Sequence, residues 1–189
     1  MKMIHLFYSF YKYREMIRAL AIRDIQSKYV GTLGGSFWIF ASPLATVVIF
    51  YFVFAVGFKA TGPNGAPFIL WFVCGLVPWL FFNSSLMAIT NSIVANMHLV
   101  QKTIFPTEIF AFTHLFSESF THLVFLTILC GMLIVLGVHF ETARLLFLYY
   151  FGCMVALLLG LGWMLSALQV FYRDIALGLV IFLNLLFWG

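Results

Sequence analysis

This sequence predicts an all-α membrane protein, an amphipathic surface helix followed by a bundle of transmembrane helices, on three observations. Of the 189 residues, 64% are hydrophobic and 8% charged, against about a quarter charged in ordinary soluble domains. A soluble fold of this length buries only part of its surface, too little to hide so much apolar side chain. The charges also leave long gaps, from Tyr29 to Phe58, Ala60 to Gln101 and Leu145 to Tyr172. Each gap exceeds the roughly 20 apolar residues that cross a bilayer.

Residues 9–28 form the surface helix. Phe10, Tyr13, Met16, Ile17, Leu20 and Ala21 fall within one arc of a helical wheel, and Lys12, Arg14, Glu15, Arg18 and Arg23 occupy the rest. A basic amphipathic helix ahead of the first span reads as one lying in the membrane surface or packed on a partner, and the two can coexist. The first span runs over about 33–58, with Gly34 and Gly35 near its start and Pro43 inside. A tight loop rich in Gly, Pro and Asn follows, Lys59 to Pro67. The second span covers about 68–90. The more polar stretch from Thr90 to Glu108 should leave the hydrocarbon, and a third span follows at 112–138. A short turn from His139 to Arg144 leads to a fourth at 145–168. A fifth begins near Ile175 and is still apolar at Gly189, which reads as an incomplete span of a longer chain. The whole of 1–189 reads as one transmembrane domain.

Lys and Arg placement sets the orientation. Lys2, Lys12, Arg14, Arg18, Arg23 and Lys28 precede the first span, and Lys102 and Arg173 lie in loops on the same side; Lys59 and Arg144 are opposite. The amino terminus is therefore expected on the cytoplasmic side. Its basic residues follow a short apolar start instead of preceding a long one, so it is no cleavable signal. Cys74, Cys130 and Cys153 lie singly in apolar stretches; a lone Cys of this kind is expected to pack as a small hydrophobe.

The segment Asn91 to Glu108 is the most informative. It is longer than a connection between two spans requires and half apolar, and it reads as a short helix ended near Phe105 by Pro106, because the residue before proline is pushed out of helical geometry. It is either a docking element or a connector. The Arg23-Asp24 and Arg173-Asp174 pairs sit at cytoplasmic boundaries, where charge avoids the cost of the bilayer centre and can pair across helices or subunits.

Three segments in order carry a resemblance to a known family: Arg23-Asp24-Ile25 to Lys28-Tyr29 with Gly35, Trp38 and Pro43; Gly75-Leu76-Val77-Pro78-Trp79-Leu80-Phe81-Phe82 leading through Asn91 to Phe105-Pro106-Thr107-Glu108-Ile109; and Val170-Phe171-Tyr172-Arg173-Asp174-Ile175. With these the chain resembles the permease subunits of ATP-binding-cassette exporters of bacterial surface polysaccharides, the O-antigen, teichoic acid and capsule type. The resemblance spans essentially the whole sequence. It departs at Thr107, where the family often has Arg, and at Gly34, where a larger apolar residue is common.

The resemblance implies six spans in a full-length chain, five of them here, in a multi-pass protein of the bacterial inner membrane. It implies a cytoplasmic coupling helix over about 96–105 that sits in a cleft of the ATPase, with Asn96, His98, Leu99, Gln101, Lys102, Phe105, Pro106 and Glu108 as the contact set. It implies a homodimer with two cytoplasmic ATP-binding subunits, a lipid-linked polysaccharide as substrate and membrane lipid around it. ATP and magnesium belong to the partner ATPase, and no cofactor is expected in this chain. In such exporters an aromatic-lined path can stack loosely on sugar faces; the candidates are Phe37, Trp38, Phe40, Phe50, Tyr51, Phe54, Trp79 and Phe82, although aromatics in spans also form interfacial belts.

His114, Glu118 and His122 recur every four residues on one helical face. An intramembrane Glu faces the bundle interior or water, so a polar seam between helices is the expectation, ahead of a water-facing cavity, and no metal site is assigned. Gly152, Ala156 and Gly160 recur at the spacing that lets helices approach closely. No Gly-x-x-x-x-Gly-Lys-Ser/Thr phosphate loop occurs, so this chain is not itself the ATPase. No nucleophile-base set is apparent, which argues against an enzyme, and nothing calls for nucleic acid. The alternatives to polysaccharide export are drug or lipid export by a related permease, a membrane-embedded lipid-modifying enzyme and a structural membrane anchor.

Overall fold

Residues 10–29, 37–62, 68–102, 106–137 and 146–189 are described by a computed structural model. Their regular structure is helical: α1 (Arg14–Tyr29), α2 (Phe37–Phe50) continuing as a π-helical stretch (Tyr51–Gly57), α3 (Phe68–Ala95), α4 (Met97–Lys102), α5 (Glu108–Val135), α6 (Leu146–Phe171) and α7 (Asp174–Trp188). Four of these runs are long and apolar enough to cross a membrane, Phe40–Gly57, α3, α5 and α6. The fifth expected span, α7, has 15 residues. At 1.5 Å per residue it reaches about 22 Å, short of the roughly 30 Å hydrocarbon core.

α3 is the centre of the bundle. It packs on α5 and α6, with α1 against α5 and α7 across α3 and α6. One cluster joins Phe81, Leu86 and Ile89 of α3 to Ala111 and Leu115 of α5, Leu158 of α6, and Leu179 and Leu183 of α7. A second joins Val47 of α2, Val73 and Val77 of α3, and Phe125 of α5. Burial is uneven: 39% of the apolar window of α3 lies inside the protein, but only 11% of that of α2 and 17% of that of α6. Outward faces this apolar are stable only in lipid.

Two helices outrun the expected spans. α3 continues past Thr90 to Ala95, and α5 starts at Glu108 instead of 112. The polar residues of the extension return their hydrogen bonds to their own helix: Thr90 to the Leu86 carbonyl (2.7 Å), Asn91 to Met87 (3.0 Å) and Ser92 to Ile89 (2.6 Å). Polarity there does not break the helix, because these side chains offer the backbone local partners.

α5 ends at Val135, and two residues on Gly137 has a φ of +67°, the left-handed conformation that terminates helices and that glycine adopts without penalty. Gly162 serves another purpose. A Cβ there would lie 2.6 Å from Ile89 Cγ2 and 3.2 Å from its Cβ, so α6 approaches α3 this closely at Ile89 only because Gly162 has no side chain. The stripe of Gly152, Ala156 and Gly160 is exposed, with nothing within 4 Å of an added Cβ at either glycine; the close approach within the chain is made on the opposite face. Gly162→Ala should lower stability by about 1–3 kcal/mol through overpacking against a stiff, fully buried Ile89. Gly160→Ala, at an open mid-helix position, should leave the melting temperature of the detergent-purified protein unchanged or slightly raised. Equal melting temperatures would contradict this packing.

The cysteines depart from expectation: Cys74, Cys130 and Cys153 are exposed on outer helix faces. Periodicity in a uniformly apolar helix does not distinguish a lipid-facing position from a core one.

Candidate functional site

α1 is held to α5 by charge as well as by its apolar face. Ile17 and Ala21 are buried, and the Phe10 ring lies 5.2 Å from Phe112 and 6.1 Å from Phe116. One turn before its end, α1 presents Asp24 and Lys28 to the α5 face that carries His114, Ser117 and Glu118. Lys28 Nζ donates to Glu118 Oε1 at 2.6 Å and to Ser117 Oγ at 3.4 Å, and lies 3.8 Å from Asp24 Oδ2. His114 Nδ1 lies 3.6 Å from the same Asp24 oxygen. The side chain of Glu118 is only 9% exposed, so its charge rests on Lys28. Boundary charge and polar face, read separately from the sequence, meet in one cluster.

Burial raises the Asp24 carboxyl pKa, but interactions with His114 and Ser117 and the charges of His114 and Lys28 outweigh it and hold the group at about 2. The folded pKa lies below the ordinary 3.8, so this carboxylate stabilises the docked state above about pH 4. Its contribution disappears as pH falls through about 2. Hydrogen exchange in α1 should therefore show an acid limb between these values that Asp24→Asn removes. An unchanged limb in the variant would assign it elsewhere.

His122 does not join that cluster. It is buried, its ring stacked 5.3 Å from Phe151 at 9° and 4.8 Å from Phe81. The three-residue face thus divides: His114 and Glu118 turn to α1, and His122 packs among aromatics.

Arg23 and Asp24 also line a cleft of about 230 Å³ with Ser27, Asn96, Thr113 and His114. This cleft brings the first boundary pair to the turn that starts the candidate coupling segment. Asn96 breaks the line of α3: its amide side chain donates to the Ser92 carbonyl at 2.9 Å, and its own carbonyl accepts from Leu99 N at 2.9 Å, starting α4. α4 covers six residues, with His98 and Gln101 exposed and Leu99 half-buried. The Lys102 side chain and Phe105 lie outside the described residues. The chain re-enters a helix at Pro106 and Thr107, whose carbonyls accept from Ile109 and Phe110. The Glu108 side chain is exposed, and its carbonyl accepts from Trp163 Nε1 at 3.4 Å. Trp163 also meets Phe112 edge-on at 5.9 Å. α5 is thus tied to α6 at its first turn and to α1 one to three turns further on.

The second boundary pair lies at the turn between α6 and α7. Arg173 and Asp174 are exposed there, Asp174 in the first helical turn, where negative charge is favoured. The turn itself is built by Gln169, which is buried, donates to the Arg173 carbonyl at 3.2 Å and accepts from Ala176 N at 2.8 Å. A single Gln in an apolar helix near its end was the available signal, since such an amide must find backbone partners.

The eight candidate channel aromatics separate into two groups. Phe37, Trp38, Phe40 and Tyr51 are exposed on α2 and the π-helical stretch. Phe50 and Phe54 are half-buried against Phe72 at 5.0 and 5.4 Å. Trp79 and Phe82 lie against the main core, Trp79 5.7 Å from Phe187 of α7.

No family model matches the chain. It is 25% identical over 162 residues, 85% of its length, to an O-antigen export system permease protein RfbA of Klebsiella pneumoniae, and 26% identical over 165 residues to a second protein of that name from the same organism. It is 26% identical over 177 residues, 92% of its length, to the protein of that name from Myxococcus xanthus. The chain spans 61–65% of the length of these curated relatives. The sequence resemblance and these relatives agree: along most of its length the chain is similar to the permease proteins of O-antigen export systems.

Proposed function

We propose that this chain is the membrane permease subunit of an ATP-binding-cassette exporter, which carries an O-antigen-like, lipid-linked polysaccharide across a bacterial inner membrane on power from separate ATPase subunits. The likeness to three permeases named for O-antigen export carries the reading. The helical arrangement supports it: α4 offers exposed side chains between two long helices, and the helix that follows is joined to both α1 and α6. The unit is a homodimer with two ATPases, since closed twofold symmetry is the commonest way for identical subunits to enclose a path. The amino terminus is cytoplasmic, on the side richer in Lys and Arg. A lipid-modifying enzyme is less well supported, because His114 and Glu118 are engaged by Asp24 and Lys28.

Deleting the gene should remove surface polysaccharide, and the purified complex should weigh two permeases plus two ATPases. A strain with intact surface polysaccharide would refute the reading. In a cysteine-free background, Gln101→Cys should label only from the cytoplasmic side; labelling from outside intact cells would reverse the topology.

A further inference from the structure

A groove of about 570 Å³ runs between α1 and α5, and nothing in the cluster of Asp24, Lys28 and Glu118 accounts for it. Its floor is apolar, formed by Ile17, Ile22, Ile25 and, on α5, Phe116, Phe120 and Leu123. Phe116, Phe120 and Leu123 are 52%, 40% and 60% exposed and follow one another at three- and four-residue steps along a membrane-crossing helix. Arg14, Glu15 and Arg18 form the rim at the α1 end. Arg14 and Arg18 are one helical turn apart, so their guanidinium groups project from neighbouring positions. Arg14 lies over the Tyr11 ring at 4.7 Å and has a loose, exposed pair with Glu15 at 3.7 Å, which leave its phosphate-binding donors largely free, and no ion pair or hydrogen bond engages Arg18 among the described residues. The groove is therefore apolar along the bilayer and net positive at its surface end.

We infer that this groove is a binding site for an anionic phospholipid, with an acyl chain against Phe116, Phe120 and Leu123 and the phosphate between Arg14 and Arg18. The occupant follows from charge complementarity. A zwitterionic phospholipid would fill the floor equally well and offers the same phosphate, but its headgroup cation opposes the net positive rim, so its gain there is smaller. A second protein segment would have to place acidic side chains where the bilayer already supplies phosphate. Guanidinium groups match phosphate geometry with paired donors, and each basic group near an anionic surface favours it about fivefold. The site holds in any membrane protein with this groove and does not rest on the polysaccharide-export reading.

The test uses the full-length permease with a benzophenone amino acid at Phe120 or, as a control, at Ile181, an exposed residue of α7. Each protein is reconstituted in phosphatidylcholine vesicles containing a minority of phosphatidylglycerol and irradiated, and its adducts are identified by mass. Phosphatidylglycerol should be enriched at least fivefold over its bulk share at Phe120 and follow its bulk share at Ile181. Arg14→Gln with Arg18→Gln should abolish the enrichment without lowering the total lipid adduct. Adducts at Phe120 that match the bulk composition would overturn the proposal. So would enrichment that survives the double substitution, or adducts that are mainly to a second copy or another part of the chain.

Discussion

Lys28→Ala should release α1 from α5 and destabilise the protein by about 2 kcal/mol. Removing one member of a buried ion pair costs about 3–5 kcal/mol because the remaining charge is left uncompensated. The smaller figure applies here because the Lys28 side chain is 35% exposed, whereas that of Glu118 is 9% exposed. Solvent can reach part of the cation but little of the carboxylate. The loss should appear as a lower melting temperature and as faster tryptic cleavage after Arg18 and Arg23. Lys28→Met combined with Glu118→Leu should recover most of the stability, because an apolar pair of similar volume leaves no charge to compensate. Unchanged melting and cleavage in Lys28→Ala would show that the apolar face of α1 is sufficient to hold it.

The second large effect concerns α4. If an ATPase docks there, Leu99→Glu should abolish export while leaving the protein inserted and abundant, and co-purified ATPase should fall at least tenfold, about 1.4 kcal/mol. Interface centres cost more to disrupt than rims, so His98→Glu and Gln101→Glu, at exposed positions, should reduce export by less. Phe105→Ala should resemble Leu99→Glu if the segment docks along its length. Surface-polysaccharide staining and pull-down of the ATPase read the two effects separately. Full export and normal ATPase recovery in the Leu99 and Phe105 variants would reduce the segment to a connector.

The class of this fold was legible because charge is so costly in hydrocarbon that its gaps mark the spans. The amphipathic arc of α1 was legible for the same reason, and its buried members, Ile17 and Ala21, lie on the expected face. Helix ends were less legible. Thr90, Asn91 and Ser92 look like loop residues, yet each bonds back to its own helix, and sequence does not say which choice a short polar side chain makes. The partner of Glu118 could have been found. An intramembrane carboxylate needs a cation, and the basic residues of α1 were the nearest supply. What could not be read was which α1 residue faces it, because that depends on how two helices cross. The close contact at Gly162 was hidden by a more regular stripe of small residues on the other face of the same helix.

The Lys28–Glu118 pair also sets a depth. If α1 lies in the membrane surface, as its amphipathic face predicts, its last turn fastens that level to α5 ten positions beyond Glu108. Ten residues of helix are about 15 Å, so the first turns of an upright α5 would then stand that far proud of the hydrocarbon. The remainder, Ser119 to Val135, is about 26 Å long, close to the roughly 30 Å of apolar core. Anchored at that level, α5 meets a thicker or thinner bilayer by tilting instead of sliding. The connection between α3 and α5 would thereby be kept clear of the lipid by a fixed standoff, which a salt bridge measures out.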